Sequence, residues 1–136
     1  MTRKEAREFA MQTIFQMDAQ DDLNGEKVEE YLSEKNMREV SFKGQKQYIE
    51  KLLKGIIEDI ARIDELINSS SKEWPVSRMA KADLAIIRIA VGETIYADDV
   101  PAGVAINEAV NLAKVYGTEN SPKFVNAVLR SIIKTA

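Results

Sequence analysis

The sequence predicts an all-α domain of six to seven helices. Three observations carry that prediction. Every strongly patterned segment repeats its apolar residues at steps of three and four, and none alternates at a step of two. The segments are joined by short polar connections containing helix start and stop residues. There is no internal repeat and no low-complexity tract. The 136 residues, 45% hydrophobic and 30% charged, suit one domain, residues 1–136, with room for a core.

The first helix is expected from Thr2, with Glu5 three residues on in a capping-box pattern, to about Ala19. Ala6, Phe9, Ala10, Thr13, Ile14 and Met17 form its core face. Lys4, Arg7, Met11, Phe15 and Asp18 fall elsewhere and form a mixed basic and apolar side. Met11 and Phe15 read either as more core or as an exposed strip for a partner protein or a base. Residues 20–25 form a turn punctuated by Asn24-Gly25. Glu26 to Lys35 is a short acidic helix with Val28, Tyr31 and Leu32 inward. A long helix is expected from Ser41 to Ile67, with a wide apolar stripe from Tyr48 and Ile49 through Ile63 and Ile67. Gly55 inside it implies a close helix crossing, since it weakens a helix by about 1 kcal/mol against Ala. Asn68 to Lys72, with three serines, reads as a loop, and Trp74-Pro75 as a corner with the tryptophan as its apolar plug.

Ser77 or Ala80 opens the next helix. Its residues Leu84, Ala85, Ile86, Ile87, Ile89, Ala90, Val91 and Ile95 cover nearly the whole circumference, so it is buried on most sides. Arg88 lies among them and needs a carboxylate. Glu108 in the following helix is the expected partner, in a structural ion pair. Beyond Pro101 come two more helices. The first carries Val104, Ala105, Ala109, Leu112, Ala113 and Tyr116 on its apolar face and stops at Gly117, read as a left-handed cap. Ser121-Pro122 starts the second, the serine as its cap. Phe124, Val125, Val128, Leu129, Ile132 and Ile133 face inward.

No Cys and no His are present, which excludes zinc fingers, disulfides, thiol nucleophiles and any Ser-His-Asp triad. No glycine-rich phosphate loop, metalloprotease helix or serine elbow occurs, and no carboxylates pair convincingly for catalysis. The expectation is a protein that is not an enzyme, with no cofactor and no metal. No apolar run is long enough to span a bilayer, and the first residues are charged, so the expected location is cytoplasmic. The net charge of −3 is unevenly distributed. Residues 18–35 hold seven acids against two bases, net −5, leaving the rest of the chain at +2. The last 27 residues hold four bases against Glu119 alone. Local cationic patches, not the total, decide contact with phosphate. The loop Thr118–Ser121, flanked by Lys114 and Lys123 and followed by Phe124, stands at a helix start that suits an anion. Taken by itself, the loop reads more readily as a capping Ser121 and a packing Phe124 than as an anion site.

The stretch VPAGVAINEAVNLAKVYGTENSPKFVNAVLRSI, residues 100–132, closely resembles the C-terminal signature of the NusB transcription antitermination factors. LAIIRIAV at 84–91 and RKEAREFAMQTIFQMD at 3–18 resemble the family's preceding helix and its basic first helix. The resemblance implies two packed three-helix bundles and no catalysis. It implies binding of single-stranded boxA RNA in ribosomal transcripts, together with the ribosomal protein NusE, within an RNA polymerase antitermination complex. Without partner, a monomer or weak homodimer is expected. By position, the RNA surface would include Arg3, Lys4, Arg7, Glu119, Asn120, Lys123 and Phe124. The NusE surface would include Phe15 and Asp83. Three departures stand out. Glu5 interrupts the N-terminal cations. Gly92 stands where Tyr is common and implies different packing or a gap. Asn120 replaces a common Asp, which removes a negative charge beside RNA phosphate. The family also resembles the N-terminal domain of some ribosomal RNA cytosine methyltransferases; with the sequence ending at Ala136, a free-standing factor is expected.

Overall fold

In the computed structural model, residues 1–36 and 44–135 are described. Among them are seven α-helices and two single 3-10 turns, with no strand. The helices are α1 (Arg3–Ala19), α2 (Val28–Asn36), α3 (Lys46–Glu58), α4 (Ile60–Ser70), α5 (Lys81–Tyr96), α6 (Ala102–Tyr116) and α7 (Ser121–Thr135). The 3-10 turns are Gly25–Lys27, before α2, and Val76–Arg78, before α5. No helix among the described residues is long and apolar enough to cross a membrane.

The start of α1 follows its sequence. The Glu5 amide donates to the Thr2 hydroxyl (3.1 Å) and the Thr2 amide donates to the Glu5 carboxylate (2.8 Å), closing a capping box. These bonds hold the Glu5 carboxyl below its ordinary range. Val28, Tyr31 and Leu32 face inward from α2 as expected. Asp21 takes the positive φ of the preceding turn, and Asn24 caps the 3-10 turn by accepting from the Glu26 amide (3.0 Å).

The expected long helix is two. Asp59 leaves helical geometry (φ −112°, ψ 24°) and separates α3 from α4. Its carboxylate accepts from the Tyr96 hydroxyl (3.1 Å) and from Arg62 (3.2 Å). No Pro or Gly marks the break, so the sequence pattern runs straight through it. The other end of that prediction, Ser41, lies outside the described residues. The serine stretch is also corrected: α4 continues to Ser70. The Ser69 hydroxyl donates back to the Glu65 carbonyl (2.9 Å) within the helix, and Ser71, the non-helical C-cap, donates to the Ile67 carbonyl (2.7 Å), so the expected loop begins only at Ser71.

Helix α5 is the centre. Every residue from Asp83 to Glu93 is buried. One side of α5 packs on α1 and α3, which with α2 form the N-terminal bundle; the other packs on α6 and α7, which form the C-terminal bundle with it. Helix α4 bridges α3, α5 and α7. The crossing of α3 and α5 explains two glycines. A Cβ on Gly55 would meet the Tyr96 ring at 2.9 Å, and one on Gly92 would meet the Ile56 side chain at 2.5 Å and Leu52 at 3.1 Å. The space beside Gly92 is filled by Ile56, and there is no gap at that contact.

Four charged side chains among the described residues are buried in this frame: Arg7, Asp83, Arg88 and Glu93. Arg88 of α5 faces Asp64 of α4, with Nε to Oδ1 at 3.0 Å and Nη2 to Oδ2 at 2.8 Å, and lies 3.5 Å from Asp18 of α1. The expected Arg88–Glu108 pair is therefore not formed. Glu108 projects from α6 on a different side of α5, at 4.0 Å from Arg7. The wheel identified a buried guanidinium correctly, but a wheel carries no information on which neighbouring helix faces it.

Candidate nucleic-acid interface

At the N-terminal end, Arg3 is half-buried at the first turn of α1. Its guanidinium lies 3.9 Å over the Tyr48 ring. Nε donates to Gln45 (2.9 Å), and Nη1 reaches both oxygens of Asp99 (3.2 and 3.3 Å). Lys4 is exposed. It stands at the rim of a small cavity of about 110 Å³ lined also by Arg7, Glu8, Glu108, Leu112 and Val115.

Arg7 is not a surface cation. It is buried and grips Glu93 with Nε to Oε1 at 2.7 Å and Nη2 to Oε2 at 3.0 Å. The Tyr48 hydroxyl donates to the same carboxylate (2.8 Å). Burial would lower the Arg7 pKa, but the Glu93 hydrogen bond and charge outweigh it and hold it above its ordinary value. Burial and the neighbouring Glu93 carboxylate push the Tyr48 phenol upward. The expectation of Arg7 as an RNA contact is corrected on this ground: its charge is spent inside the protein. One signal in the sequence pointed there. Asp83 and Glu93 are the only acids on α5. An acid at the far end of so apolar a run demands a buried cation.

At the C-terminal loop, Glu119, Asn120 and Lys123 are exposed and Phe124 is half-buried. Ser121 does not cap α7. It is the first helical residue, is buried, and its hydroxyl turns back to accept from the Thr118 amide (2.9 Å). Gly117 is extended (φ −95°, ψ −169°), not left-handed. It is small for a different reason: a Cβ there would collide with the Ser121 side chain and come within 2.8 Å of the Ala113 carbonyl. Tyr116, expected in the core, is exposed. It donates to Glu8 (2.6 Å) and accepts from Gln12 (2.7 Å), which ties the loop's leading edge to α1 one turn beyond Lys4.

A cleft of about 590 Å³ opens beside this loop. Trp74, Arg78, Asp83, Asn120 and Phe124 line it. Asp83 is buried, and its Oδ1 is the one buried side-chain oxygen without a hydrogen-bond partner among the described residues. The cleft thus brings together Asp83, Asn120 and Phe124. Trp74 is not the expected buried plug. It is 45% exposed, with the Arg78 guanidinium 4.5 Å over its ring. Phe15 is 39% exposed on α1, whereas Met11 beside it is core. Among the described residues no three His, Cys, Asp or Glu side chains are grouped to hold a metal.

Helices, cations and aromatics in this arrangement define a class: an all-helical binding domain built around one buried helix, with its candidate contacts at a helix start and an interhelical loop. The chain belongs to the NusB family, whose model matches residues 4–134. It is 42% identical over 134 residues to the transcription antitermination protein NusB of Alkaliphilus oremlandii, covering 98% of this chain and 94% of that one. It is 40% identical to that of Bacillus velezensis, covering 97% and 95%. Solved structures agree. T. maritima NusB superposes with a TM-score of 0.86 at 33% identity, covering 98% of this chain and 92% of that one. A NusB chain in the crystal structure of antitermination factors NusB and NusE in complex with double-stranded RNA superposes at 0.81 with 30% identity, covering 98% and 97%.

Proposed function

We propose that this chain is a cytoplasmic transcription antitermination factor. It binds boxA RNA of ribosomal transcripts together with NusE and joins an RNA polymerase antitermination complex. The observation that carries the reading is the cleft beside the last interhelical loop, where a buried, unpartnered Asp83 oxygen lies with Asn120 and Phe124. A buried carboxylate oxygen left without a donor is unfavourable by about 1–3 kcal/mol, which a donor from a partner protein recovers. Asp83 and exposed Phe15 serve NusE in this reading. Arg3, Lys4, Glu119, Asn120, Lys123 and Phe124 serve RNA, the cations on phosphates and Phe124 against an unpaired base. The Tyr116 bonds to α1 support a common side for the two RNA segments. Partner and RNA then bind as one extended surface, which raises affinity beyond either contact alone.

A boxA-like single strand, its scrambled version and its duplex are titrated with and without NusE. Preference for the boxA strand in the presence of NusE is expected. Equal affinity for the scrambled strand would overturn the reading. A second reading, a protein-interaction module or dimer without RNA binding, draws on apolar side chains left on the surface, Val115 at 70% exposure and Phe15. Salt separates the two: RNA binding falls steeply as salt rises, and an apolar dimer barely responds.

A further inference from the structure

A second cleft, of about 250 Å³, lies between the start of α1, α3 and the loop after α5. Arg3, Tyr48, Lys51, Tyr96, Asp98 and Asp99 line it. Its two cations are prepared differently from their neighbours. Arg3 is held in place by Tyr48 and Gln45, so its orientation does not depend on Asp99. Lys51 is exposed and sits one turn from Tyr48. Of the three lysines on α3, Lys46 and Lys54 reach Glu50 at 3.7 and 4.0 Å, while Lys51 makes no ion pair among the described residues. The Asp99 side chain is 69% exposed, so its bridge to Arg3 is a solvated one of small worth.

We propose that this cleft is a phosphate site on the RNA path, clamped by Arg3 and Lys51, with Asp99 as the gate that the phosphate displaces. The inference rests on the RNA reading above and adds Lys51, Tyr48 and Asp99 to it. A phosphate can take over the contact that Arg3 Nη1 makes with the two Asp99 oxygens, and it can also use Lys51, a second cation with which Asp99 forms no ion pair. Asp98 and Asp99 oppose an isolated anion. The site therefore favours a phosphate delivered on a chain already held at other points.

The test is RNA affinity as a function of salt, with NusE present, for the wild type, Lys51→Gln, Asp99→Asn, Arg3→Gln and the Arg3→Gln/Asp99→Asn pair. Lys27→Gln, a surface lysine away from the cleft, is the control for general charge. All positions are at the surface, and unchanged helical circular dichroism checks folding. Lys51→Gln should reduce the slope of log affinity against log salt by about 0.7, the share of one single-strand phosphate contact. Lys27→Gln should not. Asp99→Asn should raise affinity about fivefold, as removal of one solvated charge near 4 Å implies. In the Arg3→Gln background the gain should be smaller, because only the direct repulsion between Asp99 and the phosphate is then relieved. RNA bound with an unchanged slope in Lys51→Gln, or an Asp99→Asn gain undiminished without Arg3, would overturn the inference and leave the function standing. A wild type that binds no RNA would overturn both.

Discussion

Arg7 and Arg88 are buried guanidiniums, Arg7 gripped by Glu93 and Arg88 by Asp64 with Asp18 nearby. Arg7→Gln leaves Glu93 buried with Tyr48 as its remaining partner, so stability should fall by about 3 kcal/mol in urea denaturation. Any loss of RNA binding by that variant should track unfolding, whereas Lys123→Gln should weaken RNA binding with the urea midpoint unmoved. Asp64→Ala should lower stability by about 2 kcal/mol, less than a wholly buried pair because Asp64 is 24% exposed and Asp18 remains near Arg88. Glu108→Gln should be near neutral in the same assay; a loss equal to that of Asp64→Ala would contradict the observed pairing. Tyr48 adds a pH dependence. Its phenol is raised above the ordinary 10.0 by burial and then by Glu93. The stability it contributes is fully present below 10.0. It declines as pH rises further, where the unfolded tyrosine ionises first, and is lost as pH passes the raised folded value. Denaturation of wild type and Tyr48→Phe at increasing alkalinity should therefore converge above that point.

Among the elements, α1 and the α3–α5 crossing are the most constrained. Thr2→Ala removes one half of the capping box and should lower stability by about 1 kcal/mol, read as a shift in melting temperature. Gly92→Ala should destabilise by about 1–3 kcal/mol although alanine is the better helix former, because its methyl would press on Ile56 and Leu52. A gain in stability would mean that the crossing is looser than its contacts indicate. The extent of α1, the inward face of α2 and the all-round burial of α5 were legible in the sequence, because capping and periodicity are local. The break at Asp59 was not. It is held by Tyr96, 37 residues away, and no punctuating residue marks it. The serines after Ile67 misled for a related reason: a hydroxyl that competes for backbone groups in a loop satisfies a helical carbonyl equally well.

For the whole molecule, the cations are divided between structure and surface. The acidic stretch 18–35 and the buried pairs leave Arg3, Lys4, Lys51 and Lys123 at the surface around the first helix, α3 and the last loop. Binding of RNA with NusE should therefore show a salt slope set by a few phosphates, about 0.7 per contact on a single strand. Filter-binding or anisotropy titrations at several salt concentrations would measure it, and a flat response would rule out a phosphate-led interface. Loss of Asp83's charge in Asp83→Asn should weaken NusE binding while leaving RNA binding by the chain alone unchanged, as calorimetry of each pair would read.

The sequence by itself determined that the chain is all-helical, that α5 is buried, and that the blocks at 3–18, 84–91 and 100–132 resemble one family. Those properties depend on residue order over a few turns, where helix periodicity and motif spacing are complete information. Tertiary structure alone decided which charge meets which. It turned Arg7 inward to Glu93, gave Arg88 to Asp64, exposed Trp74 and Tyr116, left one oxygen of Asp83 unpaired, and set Asp99 against Arg3 across 96 residues of sequence. Ion pairing is fixed by distances of 3–4 Å between side chains on different helices. A helical wheel gives the direction of a side chain from its own axis, but only the packing of one helix on another supplies the partner.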